Sequence, residues 1–381
     1  MVDKTTADEL ATMLDRDEGF TLVDTRPEES YEAWHVPGAE NVPHDPREGL
    51  DREEVNRVNA LAGSDPVLAI CGKGISSTPF AYELEERGYD DVSVVEGGME
   101  DWSEVYEVVP IETRNEDLAI FQLQRRAKGC LGYVVGSREA GEAAVVDATR
   151  QVEEFEVAAA DAGLAVARVL DTHVHADHVS GGPSLASTVG VPYHLGERAR
   201  ERGVEYEYDP LADGETVEVG GVEIRALGTP GHTTEMVSYL VDGEYLLTGD
   251  TLFVDSVGRT ELQFGEADAA HGAELLYESL HERILDLPDD TTVLPGHATV
   301  SADGRYENGE PGEPIRARLG DLRESLDLLE LDRVAFVERV TTDTPEKPSG
   351  YEEIIDVNRG KETVDEDEAR ELETGPNNCA A

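Results

Sequence analysis

Residues 170–182 read LDTHVHADHVSGG and place three histidines and two aspartates within thirteen positions. His173 and His175 stand two apart, a spacing that aims both side chains the same way if the segment is extended. Asp177 and His178 follow on the turn. Three more candidates arrive later, each at the end of an apolar run: His232 in TPGH, Asp250 in LLTGD and His297 in LPGH. Imidazole with carboxylate suits zinc, iron or manganese and needs no thiolate. HxH or PGH alone is an ordinary polar pair or turn. The ordered set, HxHxDH, then GH, GD and GH, points to a metal site.

A second chemistry is written at Cys71. It ends the apolar run PVLAI and opens CGKGISS, just ahead of a helical pattern. Amides of a glycine-rich turn and a helix N-terminus favour an anion. A cysteine there is expected to react as thiolate. Cys130, in AKGCLGYVVG, is expected in the core, and Cys379 has no physical account. Three cysteines do not make a disulfide framework.

The elements that must position these groups fall into two regions. FTLVDTR (20–26), PVLAICGKG (66–74) and DVSVVEGGMEDW (91–102) read as strands, and SSTPFAYELEERG as a helix stopped by Gly88. The pattern restarts at VYEVVPIET, which sets the expected boundary between 1–108 and 109–360. In the second region GYVVG, EAAVVD, LAVARVLDTH, VEIRALGTPGH, MVSYLVDGEYLLTGD and TTVLPGH are strands, nearly all ending in His or Asp. Loops leaving strand ends on one side of a sheet sandwich can converge at a point. Ile315, Leu319, Leu322, Leu326 and Leu329 keep a 3-and-4 spacing that predicts one amphipathic helix. Residues 361–381 are acidic and low in apolar content and are expected to form a C-terminal tail or a final docked segment.

Net charge is −53 over 381 residues, spread along the chain. Such a surface repels itself in dilute buffer. At roughly 1 M salt the Debye length is about 3 Å and the repulsion is screened, so a halophilic, salt-rich cytoplasm is expected. No basic stripe exists for nucleic acid. No apolar run approaches the roughly 18 residues of a membrane span, and the first twenty residues lack a signal-peptide layout. A cytoplasmic location, with no membrane or nucleic-acid partner, is the expectation; a homodimer is the candidate assembly.

Residues 115–360 resemble the metallo-β-lactamase fold, an αββα sandwich with metals along one edge. GDTLFVDSVGRTEL (249–262) resembles both its persulfide dioxygenases and its glyoxalase II thioesterases. The first resemblance implies one Fe(II) per chain, held by His173, His232 and Asp250, with His175, Asp177, His178 and His297 in the shell around it. The second implies those same four residues around a second metal, with Zn2+ as the alternative ion and thioester hydrolysis as the alternative reaction. Arg259 matches a family arginine that shapes the thiol-substrate site. Family dioxygenases carry Asp-Tyr after the last histidine, whereas here Ala298-Thr299 follows, so a carrier thiol other than glutathione is expected. Residues 1–108 resemble a rhodanese domain through LVDTR (22–26), HVPGAENVP (35–43), the loop Cys71, Gly72, Lys73, Gly74, Ile75, Ser76, and VVEGGMEDW (94–102). That resemblance implies a persulfide carried on Cys71. Many rhodaneses have arginine where Ser76 stands, so thiosulfate is a weaker candidate donor. Together the resemblances imply an α/β protein that oxidises a small thiol persulfide with O2 to sulfite and thiol, coupled to a sulfane-sulfur donor or acceptor.

Overall fold

The structure is a computed structural model; it describes residues 2–342, 347, 348, 350–375 and 377. Cys379 lies outside the described residues. Among those described, no helix is long and apolar enough to cross a membrane.

The first sheet is parallel throughout. Its order is Asp3–Thr5, Val92–Val95, Val67–Ile70, Thr21–Asp24, Glu40–Asn41. The central strand Val67–Ile70 is buried at every position, as expected for a parallel strand covered on both faces. Helix Ser77–Glu86 follows it and ends, as the sequence predicts, just before Gly88, whose φ is +94°. Its Phe80, Ala81 and Leu84 join one apolar cluster, and Leu68 and Ile70 on the opposite face join another with Trp34 and Trp102.

Two further sheets stack face to face. The seven-stranded sheet runs Asp209–Leu211, Tyr193–Gly196, Ala165–Leu170, Glu142–Val146, Cys130–Ser137, Leu118–Arg125, Tyr106–Ile111. The six-stranded sheet runs Thr216–Val219, Val222–Gly228, Val237–Val241, Tyr245–Gly249, Thr292–Pro295, Ala317–Arg318. Ile120, Tyr133 and Val146 of the first meet Ile224, Tyr239, Leu247 and Leu294 of the second in one core. Helices cover both outer faces: Val152–Asp161 and Gly182–Val189 on one side, Glu261–Ser279 and Arg333–Thr341 on the other. This is the αββα sandwich.

Two expectations change and a third is narrowed. Tyr106–Ile111 pairs along its length with Ile120–Arg125, so the second sheet begins at Tyr106 and not at 109. The single helix read over 315–329 is divided. Ile315 lies between the sheets, Leu319–Ser325 and Asp327–Glu330 are separate helices, and Leu326 at their junction has ψ of +94°. Leu319, Leu322 and Leu329 still share one buried cluster, which is why the spacing survives the break. Finally, of the two forms expected for 361–381, its described residues take the docked one. Glu366–Glu373 forms a helix with a capping box at Asp365, and Glu373 is 1% exposed. An acidic residue is buried there because two arginines meet it.

Candidate metal centre and cysteine loop

Strand direction explains how distant residues converge. Val222–Gly228 and Tyr245–Gly249 are both antiparallel to the strand between them, and Thr292–Pro295 is parallel to the latter. Their C-terminal ends therefore share one edge and deliver His232, Asp250 and His297. In the other sheet Glu142–Val146 and Ala165–Leu170 are parallel and deliver Asp147 and the loop 171–178.

The glycines of these motifs have a steric reason. A Cβ on Gly296 would lie 2.7 Å from Asp250 Oδ1, and one on Gly249 would lie 2.6 Å from Thr172 Oγ1. Gly249 also has φ of +49°. Strand ends carrying these candidate ligands approach too closely for side chains in front of them.

His173, His232 and Asp250 present ligand atoms within 4.8 Å of one another, all buried. Asp250 Oδ2 lies 3.9 Å from His173 Nε2 and 3.6 Å from His232 Nε2. Neither His173 Nε2 nor Asp250 Oδ2 has a hydrogen-bond partner among the described residues. Buried polar atoms without partners are costly, and a cation at their focus would satisfy them. Each of the three candidate ligands is held from behind. His232 Nδ1 donates to the Arg259 carbonyl at 2.7 Å, which leaves Nε2 its lone pair. His173 Nδ1 meets Thr172 Oγ1 at 2.9 Å, and that hydroxyl donates onward to Asp147. Asp250 Oδ1 is engaged by His297 Nδ1 at 2.8 Å. Burial and the neighbouring His175 and His232 hold His173 well below the usual histidine range. Burial pushes Asp250 up, but His297 and His232 outweigh it and hold the carboxyl below its usual value. A neutral imidazole beside a carboxylate is the form that binds metal. The donors fit a divalent ion with open positions.

The remaining predicted residues form a linked group beside this triad. His175 Nε2 meets Asp147 at 3.2 Å; Asp177 Oδ2 lies 3.0 Å from His178 Nδ1 and 2.9 Å from His297 Nε2. His175, Asp177 and His178 also present ligand atoms within 4.8 Å of one another. Arg259 is fully buried with Nε 2.6 Å from Glu261 Oε1, so its carbonyl supports His232 while its guanidinium lies against a carboxylate.

Sequence reasoning missed four supports. Asp147, at φ +53°, accepts from the Thr172 amide at 2.7 Å. Cys130 is buried, as expected, but its thiol also donates to Asp177 at 3.2 Å; its bridge to His297 places it there. Asn358 and Glu373 hold the backbone of the loop that carries His173, His175 and His178 from the C-terminal region. Asp147 alone had a signal, since EAAVVD ends in the same manner as the other ligand strands.

Cys71 sits at the end of Val67–Ile70, 1% exposed, with Sγ 3.3 Å from Ser77 Oγ. Burial pushes its thiol up, but hydrogen bonds from Ser76, Ser77 and the Ser77 and Lys73 amides outweigh it, leaving the thiol below its usual value. The Met99 and Glu100 amides donate to the carbonyls of Cys71 and Gly72. A Cβ on Gly98 would lie 2.1 Å from the Cys71 carbonyl oxygen, so VVEGGM requires glycine where it crosses the loop. Lys73 pairs with Glu100 at 2.9 Å, and Ile75 is exposed. A groove of about 1010 Å³ leads to Gly72 and Ser76 past Arg26, His44 and Arg47.

Residues 6–105 match the rhodanese-like domain family and 126–297 the metallo-beta-lactamase superfamily. The mitochondrial persulfide dioxygenase ETHE1 of Bos taurus is 30% identical over 167 residues, 43% of this chain and 62% of that protein. The chain thus spans less than two thirds of that relative's length. The probable metallo-hydrolase YqgX of Bacillus subtilis is 32% identical over 154 residues, 35% of this chain and 70% of that protein. The crystal structure of ETHE1 from Myxococcus xanthus superposes with a TM-score of 0.54 at 26% identity, covering 62% of this chain and 96% of that one. On these matches, and on the sandwich and strand-end ligands described above, the chain belongs to the metallo-beta-lactamase superfamily and carries a rhodanese-like domain ahead of that fold.

Proposed function

We propose that the protein oxidises a low-molecular-weight thiol persulfide with O2 at one iron held by His173, His232 and Asp250. The balanced reaction is RSSH + O2 + H2O giving RSH, sulfite and two protons. The observation that carries this reading is the triad itself: two imidazoles and one carboxylate, with the buried His173 Nε2 and Asp250 Oδ2 unpartnered. The similarity to persulfide dioxygenases on both sequence and structure supports it. Iron, when bound, would supply redox chemistry and positions for persulfide and O2.

The chain's own residues do the rest. The Arg259 carbonyl keeps the His232 lone pair aimed inward, and His297 fixes Asp250 by its other oxygen. We assign Arg259 to positioning His232 and shaping the substrate wall beside Glu261. His175, Asp177 and His178 form the hydrogen-bonded surround. With Thr299 where family dioxygenases have tyrosine, the substrate is the persulfide of a thiol other than glutathione. In the rhodanese-like domain the Cys71 thiolate attacks the outer sulfur of a persulfide donor, the S–S bond breaks, and the donor leaves as thiolate. The loop amides then face the anionic Cys71 persulfide. This reading divides the chain just ahead of Tyr106 and places it in a salt-rich cytoplasm.

A second reading, thioester hydrolysis at a two-zinc centre, is favoured by one observation, the His175, Asp177 and His178 cluster beside the first. Similarity to a probable metallo-hydrolase accords with it. Metal analysis of anaerobically purified protein separates the two. One iron per chain, lost in His173→Ala, His232→Ala or Asp250→Ala, supports the dioxygenase; two zinc ions in fully active protein support the hydrolase.

A further inference from the structure

The loop that carries His173, His175, Asp177 and His178 has little regular secondary structure, so its backbone groups must find partners elsewhere. The C-terminal region supplies them. Asn358 donates both amide hydrogens, to the carbonyls of His175 at 2.9 Å and His178 at 2.7 Å, and its Oδ1 accepts from the Ser180 amide at 2.8 Å. Glu373 accepts from the Val179 amide at 2.8 Å. The helix that carries Glu373 is held in turn by both domains, by Glu104 of the rhodanese-like domain and by Arg125 and Arg150 of the sandwich. Arg370 makes two hydrogen bonds to Glu104, at 3.0 and 2.9 Å, and Arg150 bonds Glu104, Glu366 and Glu373. Arg125 pairs with Glu373 at 2.7 Å while its Nε donates to the Ser103 carbonyl at 2.6 Å. Ser103 and Glu104 follow directly on the helix Met99–Trp102, whose Met99 and Glu100 amides hold the Cys71 loop.

We propose that the C-terminal helix Glu366–Glu373 is a strap through which the docked rhodanese-like domain positions the metal loop, with Asn358 and Glu373 as positioning residues. The inference rests on the reading that this loop holds the metal. Its physical basis is that a loop held by side chains keeps its ligands in place only while those side chains stay put, and supports behind first ligands are commonly worth 10–100-fold in metal affinity (on the order of that range). Glu104 is the decisive residue. It touches neither the metal loop nor the triad, yet it bonds Arg370 on the strap and Arg150, which in turn bonds Glu366 and Glu373.

The test uses the full chain loaded with Co2+ and measures metal release to a chelator. Glu104→Gln and Asn358→Asp should each speed release roughly tenfold or more. Lys4→Ala, which breaks the exposed pair with Glu96 elsewhere in the same domain, should leave release at the wild-type rate. If Asn358→Asp does not fold, Asn358→Ser removes the same donors without adding charge. Release from Glu104→Gln at the wild-type rate overturns the proposal, as does equal acceleration in Lys4→Ala, which would mark general loosening. His173→Ala, run alongside, should not hold the ion. If it binds as the wild type does, the assignment of the metal triad has failed, whatever Glu104→Gln shows.

Discussion

His297 joins Asp250 to Asp177: one ring nitrogen lies 2.8 Å from Asp250 Oδ1 and the other 2.9 Å from Asp177 Oδ2. With both nitrogens committed to carboxylates, the ring fixes which Asp250 oxygen faces the triad. His297→Ala is therefore expected to weaken iron binding by about 10–100-fold without abolishing it, the effect of losing a support behind a ligand. A metal titration at equilibrium checks this. Complete loss of metal, equal to that in His173→Ala, would make His297 a ligand.

The Cys71 thiol, held low by Ser76 and Ser77 against the opposing effect of burial, is expected to alkylate as thiolate below the pH of an ordinary cysteine. Thiolate grows as pH rises through the thiol's own value, so Ser77→Ala should move the rate–pH curve to higher pH. Cys71→Ser should abolish sulfur transfer and leave iron content unchanged. Persistent sulfurtransferase activity in that variant would remove Cys71 as the carrier.

Glu373 and Arg125 form an ion pair with both side chains out of contact with solvent. Removing one charge leaves the other buried, at a cost of about 3–5 kcal/mol. Glu373→Gln should lower the melting temperature accordingly. Burial pushes the Glu373 carboxyl up, but Arg125 and Arg150 outweigh it and hold it below the ordinary 4.5. A depressed folded value gives stability that is fully present above 4.5 and lost as pH falls through the lower folded value. The variant and wild type should thus converge in acid. A stability gap unchanged from neutral pH to strong acid would contradict the assignment.

Much of the centre was legible because metal ligation restricts residue type and strand ends restrict spacing. His173, His232 and Asp250 could be read as candidate ligands from HxHxDH, GH and GD, the choice of these three resting on the family resemblance, and the glycines beside them have close contacts as their cause. The rhodanese-like loop was legible for a similar reason, since Cys71 and Gly98 are demanded by chemistry and by a backbone crossing. Asn358 and Glu373 were not. Asparagine and glutamate are ordinary surface residues, and their contacts to His178 and Val179 span 180 and 194 positions. Nothing local marks such a residue. The break at Leu326 was hidden because both short helices bury leucines in the same cluster.

A charge of −53 should make stability depend on salt. Screening at roughly 1 M KCl, where the Debye length is about 3 Å, relieves most of the repulsion between surface carboxylates. The melting temperature is expected to rise steadily from low salt to molar KCl. A flat or falling curve would oppose the halophilic reading.

The most direct test of the central claim is an oxygen electrode with iron-loaded protein and a thiol persulfide. The account predicts persulfide-dependent O2 uptake with sulfite formed in equal amount, and no uptake in Asp250→Ala. Release of thiol from an acyl thioester under argon, with no O2 consumed when persulfide is supplied in air, would contradict it.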